Sequence, residues 1–255
     1  MFNRVSKVQK LVRKNDIPGL IRALRGKDWL EAVQALGRER DPRAVEPLVS
    51  VLQDENENMF KRCAAAEALG KIRDPGALEP LIAALQDKNA QVRKKAAEGL
   101  GGMGEMGIPP LLTALKDKDK YVCFEAAFKL RHLGVEDPRV LAWCSVMGRH
   151  WEEAAAQGEA AIEPLIAVLY EEETHPYAAI ALGKIGAPAV EPLIAALAWG
   201  NPTTVRRRAA LALGYIADPG AIEALTAARR EQNEGLRDDA NDALLKIEIK
   251  LKKES

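Results

Sequence analysis

The sequence is poor in the residues that most catalytic and metal sites need. It holds three histidines, His132, His150 and His175, and three cysteines, Cys63, Cys123 and Cys144. No HExxH, CxxC or GxSxG pattern occurs, so the common zinc, redox and serine-hydrolase arrangements have no foothold. The cluster Gly101-Gly102-Met103-Gly104 follows a helical pattern, whereas a phosphate cradle requires glycines between a strand and the start of a helix. The cysteines are odd in number and lie 60 and 21 residues apart, which suits a reduced, intracellular chain and leads us to expect a cytoplasmic one. No apolar run reaches the roughly 18 residues of a membrane span. The basic N-terminus lacks the apolar stretch of a secretory signal. Neither charge sign is in excess: 37 Lys and Arg balance 37 Asp and Glu, so there is no global pull toward nucleic acid or anionic lipid. Strand-like alternation does not persist anywhere, and a β component is not expected.

What is present is repetition. Val45-Glu46-Pro47-Leu48 returns as Leu78-Glu79-Pro80-Leu81, Ile162-Glu163-Pro164-Leu165 and Val190-Glu191-Pro192-Leu193. Alternating with it is Ala35-Leu36-Gly37, seen again at Ala68-Leu69-Gly70, Ala181-Leu182-Gly183 and Ala212-Leu213-Gly214. The leucine of the second motif falls at Leu36, Leu69, Leu100, Leu130, Leu182, Leu213 and Leu244. Its steps are 33, 31, 30, 52, 31 and 31 residues. The 52-residue step is too long for one repeat and holds a degenerate unit at about 138–157, giving eight units in all.

Each unit reads as two helices. In the first, Leu78, Leu81, Ile82 and Leu85 recur at one-face spacing, after a start signal at Asp74-Pro75-Gly76. In the second, Val205, Ala209, Ala212, Leu213 and Ile216 share a face, and the small residues allow close helix approach. One such pair cannot bury its own apolar stripe, so successive pairs must stack. The expected organisation is a single all-α solenoid domain over residues 1–255. A cap helix lies at 2–15, with Val5, Val8, Leu11 and Val12 on one side, repeats fill 16–248, and a charged tail at 249–255 ends the last helix.

The run Val205-Arg206-Arg207-Arg208-Ala209-Ala210-Leu211-Ala212-Leu213-Gly214, behind an EPLIAAL helix, resembles the HEAT-like repeat, and within it the phycobilisome-lyase type. The resemblance covers about residues 16–248. It implies a right-handed α-solenoid with the EPL helices on the convex side and the second helices lining a concave side. It also implies a structural role for the arginine after the valine, found here as Arg62, Arg93, Arg206 and Arg237. An acidic residue stands six positions before two of these, at Asp87 and Glu231, a spacing that suggests a ladder between units. The same slot holds Trp29, Cys123 and His175 in other units.

Deoxyhypusine hydroxylase resembles this fold and holds two irons on repeated His-Glu pairs; none of the three histidines here is followed by Glu, so no metal or other cofactor is expected. Phycobiliprotein chromophore lyases carry similar repeats without a catalytic residue that can be matched to this chain. No catalytic residue is therefore assigned, and a lyase-like or antenna-directed factor is an alternative reading. Nucleic-acid binding is a second alternative, through Arg206-Arg207-Arg208, Arg229-Arg230, Lys94-Lys95 and Lys184. Against it, Glu67, Glu98, Glu125, Asp238, Asp239 and Asp242 take comparable positions, and mixed sign opposes neutralisation of several phosphates.

Aromatic residues number twelve, and eight of them fall on expected second helices. By the family's register Phe60, Tyr121, Phe124, Phe128, Tyr177 and Tyr215 face the groove, with His132 beside them. Surface aromatics concentrate at protein interfaces. The expected function is thus a non-catalytic scaffold, monomeric, that binds another protein on its concave face near the fourth to sixth units.

Overall fold

Proline and aspartate set where most pairs begin. The carboxylates of Asp41, Asp74, Asp137 and Asp218 each accept a hydrogen bond from the backbone N–H two residues on, with proline between. Proline has no N–H to leave unsatisfied in a first turn, and its fixed φ suits a helix start. In three of the four this produces a short 3-10 turn that leads into the first helix of the pair.

The computed structural model describes residues 6–254, and among them there are eight helix pairs and no strand. The expected degenerate unit is a real pair at Pro138–Met147 and Trp151–Ala156. The chain divides into two compact units, up to Val135 and from Glu136 onward.

The first unit opens with α1 (Lys7–Arg13), whose N-terminus is closed by a capping box between Ser6 and Gln9. Val8 of α1 is buried, and the Ser6 hydroxyl donates to Glu31 at 2.7 Å. The cap expected over 2–15 is thus described from Ser6 on; Arg4 and Val5 lie outside the described residues. Four pairs follow: α2 (Ile17–Ala23) with α3 (Trp29–Glu39), α4 (Val45–Gln53) with α5 (Met59–Ile72), α6 (Leu78–Ala84) with α7 (Ala90–Gly102), and α8 (Ile108–Ala114) with α9 (Lys120–His132). Each second helix packs on its partner and on the second helix of the next pair, α3 on α5, α5 on α7 and α7 on α9.

The second unit repeats the scheme with α10 (Pro138–Met147) and α11 (Trp151–Ala156), α12 (Ile162–Ala167) and α13 (His175–Ile185), α14 (Val190–Leu197) and α15 (Thr203–Ile216), and α16 (Ile222–Arg229) and α17 (Glu234–Glu254). Here too α11, α13, α15 and α17 follow one another in contact.

The motif residues explain the packing. Leu48, Leu81, Leu165 and Leu193 of the first helices and Leu36, Leu69, Leu100, Leu130, Leu182 and Leu213 of the second are fully buried. The glutamates of the EPL motifs point to solvent. Each buried leucine contributes roughly 1.5–3 kcal/mol relative to an exposed one, so stacking is strongly favoured over isolated pairs. One expectation changes: the charged segment after Glu248 does not end the last helix. It continues to Glu254, because Ile247 is buried, Lys250 donates to the Ile216 carbonyl at 3.3 Å and Lys252 pairs with Glu248 at 2.6 Å.

Candidate functional site

The second helices carry two kinds of polar feature, one buried and one exposed. The buried one is the arginine slot. Arg62, Arg93 and Arg206 are 6%, 4% and 6% exposed. Each holds the loop between the two helices of a pair: Arg62 Nε donates to the Leu52 carbonyl at 2.9 Å, Arg206 Nε to the Leu197 carbonyl at 2.8 Å, and Arg93 Nη1 to the Asp87 carbonyl at 2.8 Å. Each also reaches the next pair. Arg62 pairs with Asp87, Arg206 with Glu231, and Arg93 grips Asp117 with two bonds of 2.7 and 2.9 Å. The Asp117 hydrogen bonds hold the Arg93 pKa above the ordinary arginine value despite burial.

Asp117 escapes the search for an acid six residues before an arginine because it stands six before Cys123, where the arginine is missing. The Cys123 thiol takes over part of the arginine's task, donating to the Asp117 carbonyl at 3.1 Å. In the sixth pair the register slips by one. The buried Thr174 hydroxyl, not the His175 ring, donates to the carbonyl six residues back, Val168, at 3.3 Å. Arg237 is exposed and makes no ion pair among the described residues. Cys63 is also buried, and burial pushes its thiol pKa up, away from a reactive thiolate.

The exposed feature is aromatic. In the first unit Phe60 is 65% exposed, Tyr121 50% and Phe128 41%, while Phe124 is half-buried against Tyr121 in an edge-on contact at 6.2 Å. His132 is exposed, stacks obliquely on Phe128 at 4.1 Å, and its Nδ1 lies 2.8 Å from the Phe128 carbonyl. Four of the seven residues singled out in the sequence thus lie together on α9, with Phe60 alone on α5. The charges between them are satisfied internally. Lys95 bonds Glu98 at 2.7 Å and Glu67 at 3.0 Å, Lys71 bonds Glu67 at 2.5 Å, and Glu125 lies 3.5 Å from Lys129 and 3.9 Å from Lys94. Burial works against the Lys95 charge, but its two carboxylate partners more than offset this and raise its pKa.

In the second unit Tyr177 and Tyr215 lie on α13 and α15. Tyr177 is 54% exposed and runs parallel to Trp151, with planes 7° apart and centroids at 6.1 Å. These rings, with Ile180, Arg149, His150 and Lys184, line an open groove of about 460 Å³. Its cations are also paired, Lys184 with Glu152 and Arg149 with Glu173 at 3.2 Å. Tyr215 sits under Lys246 at 4.7 Å, and Arg207 bonds Asp239 at 2.7 Å. Trp151 belongs to this surface on the strength of its groove, which needed the geometry of the short fifth pair to be seen.

Among the described residues no three His, Cys, Asp or Glu side chains converge to hold a metal, and no helix is long and apolar enough to cross a membrane.

A family model agrees with the fold. The family model described as HEAT repeats matches residues 17–100, 78–143 and 159–245. Among solved structures, human deoxyhypusine hydroxylase in complex with glycerol is 26% identical over 95% of this chain and 88% of its own, with a TM-score of 0.37. The complex of CpcE and CpcF of phycocyanin lyase from Nostoc sp. is 24% identical over 91% of this chain and 86% of its own, with a TM-score of 0.34. Importin beta is 14% identical over 94% of this chain and 37% of its own, with a TM-score of 0.41. No curated protein sequence matches the chain. With the family match spanning most of its length, the chain belongs to the HEAT repeat family.

Proposed function

We propose that this protein is a non-catalytic, cytoplasmic scaffold that binds another protein through the exposed face of its second helices. One observation carries the reading: on those helices most of the charged side chains described above are paired with one another, Arg237 excepted, while Phe60, Tyr121, Phe128, Tyr177 and Tyr215 are left exposed. The carboxylates beside these cations repel phosphate, so a face of mixed sign neutralises few phosphates at once. Exposed Tyr, Trp and Phe side chains are well suited to anchor a protein partner, since they bury much area at small cost in conformational freedom. Phe60, Tyr121, Phe124, Phe128 and His132 would act in the first unit, and Tyr177 and Tyr215, with Trp151, in the second.

The test is affinity capture from native cells with the wild-type chain and three variants. Phe128→Ala and Tyr177→Ala should each weaken capture of a specific protein by about 5- to 30-fold, the range for loss of an aromatic anchor. Glu191→Ala, on an exposed first-helix position, should leave it unchanged. Equal losses in all three would sink the reading, as would steep salt-dependent binding to RNA or DNA.

A further inference from the structure

The outer face of α17 differs from the corresponding face of α3, α5, α7, α13 and α15. In α3, α5, α7, α13 and α15 the residue after the motif leucine is glycine, at Gly37, Gly70, Gly101, Gly183 and Gly214. That position is where the next second helix crosses. A Cβ on Gly70 would overlap the backbone of Gly99, and one on Gly214 would lie 3.1 Å from the Ala243 Cα. In α17 the position is Leu245, 55% exposed, with Ile249 one turn on at 45%. The opposite face of α17, Leu236, Ala240, Ala243 and Ile247, is buried. Leu245 fills the space through which another pair would approach at this spacing. The face lacks the glycine seen at those crossings and exposes two large aliphatic side chains.

The charges on α17 indicate what would cover them. Its first half carries Glu234, Asp238 and Asp242 exposed, and its second half Lys250, Lys252 and Lys253. Asp238, Leu245 and Lys252 are spaced by seven residues, two near-complete turns, so they line one stripe with Leu245 at its centre. Such a stripe is complementary to itself when reversed. We propose that two copies of this chain associate through the outer faces of α17, antiparallel about a two-fold axis at Leu245. Leu245 of each copy packs on Leu245 of the other, and each Asp238 meets the other copy's Lys252. A contact repeated by two-fold symmetry closes on itself and produces a dimer. Lys252 must leave its own Glu248, a small cost for an exposed pair one turn apart. This dimer replaces the monomer that the charged ends of the sequence suggest, and it does not depend on the aromatic surface binding a partner.

The test is sedimentation equilibrium of the full chain over a wide concentration range, with the fold of each variant checked by circular dichroism. The wild type should dimerise reversibly, and Leu245→Glu should raise the dissociation constant by about 100-fold or more. Asp238→Lys and Lys252→Asp should each weaken the dimer, and the double variant should recover most of the loss, which a merely structural role for either residue would not produce. Phe128→Ala and Tyr177→Ala should dimerise as the wild type does. A wild type monomeric at every concentration overturns the proposal and leaves another protein as the occupant of this face. A dimer indifferent to Leu245→Glu, or a double variant no better than the singles, overturns it equally.

Discussion

At the scale of single residues, the arginine slot and His175 carry opposite electrostatic situations. Arg93 is buried with its charge fully answered by Asp117, whose side chain is itself only 11% exposed. Replacing Arg93 by Met leaves that carboxylate without its counter-ion and should lower stability by about 3 kcal/mol, the low end for breaking a buried pair. Arg237→Met, at the same register but exposed and without an acid, should change it by no more than about 0.5 kcal/mol. Urea denaturation of both variants checks the contrast. His175 has no such answer: its Nδ1 is buried without a hydrogen-bond partner in the described structure. Burial lowers its pKa below the ordinary 6.5, Arg208 adds to the lowering, and Glu172 opposes it. The native state therefore holds His175 neutral while the unfolded chain takes up a proton as pH drops through 6.5. Its contribution to stability is complete above that value and declines below it until the lowered native pKa is reached. His175→Gln should flatten this part of the stability–pH curve, and an unchanged slope between neutral pH and the acid range would count against it.

At the scale of the helix, the junction between neighbouring second helices depends on having no side chain where they cross. Gly70→Val places methyl groups in the backbone of Gly99, and the resulting overpacking should cost about 1–3 kcal/mol. Thermal unfolding measures it, with Gly104→Ala, where a Cβ meets nothing but φ is positive, as a control for backbone strain. These junctions explain how much of the fold could be read in advance. Leucine, proline and glycine recur with a period because each repeat meets the same neighbours, so all eight pairs, including the degenerate one, were legible. The ladder was partly legible: Asp87 and Glu231 stand before arginines, whereas Asp117 hides behind Cys123. The slip from His175 to Thr174 was not legible, since it depends on how the Val168–Thr174 loop folds back. Nor was the full length of α17, whose lysines read as a tail although they suit a helix end and sit beside a buried Ile247. Of the candidate surface, the six aromatic positions named from the register are exposed or half-buried, but so are Tyr170 and Trp199, which it did not name, and the Trp151–Tyr177 groove required three dimensions.

At the scale of the whole chain, each pair touches chiefly the pairs beside it, so damage should stay local. The disturbance from Gly70→Val should therefore speed hydrogen exchange in α5 and α7 and leave α15 and α17 close to their wild-type rates. Uniform acceleration would show that the array unfolds as one body instead. The arginine ladder has a consequence of its own for how such a chain can change length over evolutionary time. Arg62 and Arg93 meet acids 25 and 24 residues further on, and Arg206 meets one 25 further on. A recombination event that removed residues 70–100, one full period, would bring Arg62 opposite Asp117, and the surviving junction would again match cation to anion. An excision that removed Asp87 but kept Arg93, or the reverse, would strand a buried charge. Along this stretch the ladder thus acts as a reading frame, favouring gain and loss of whole repeats over fractions of one.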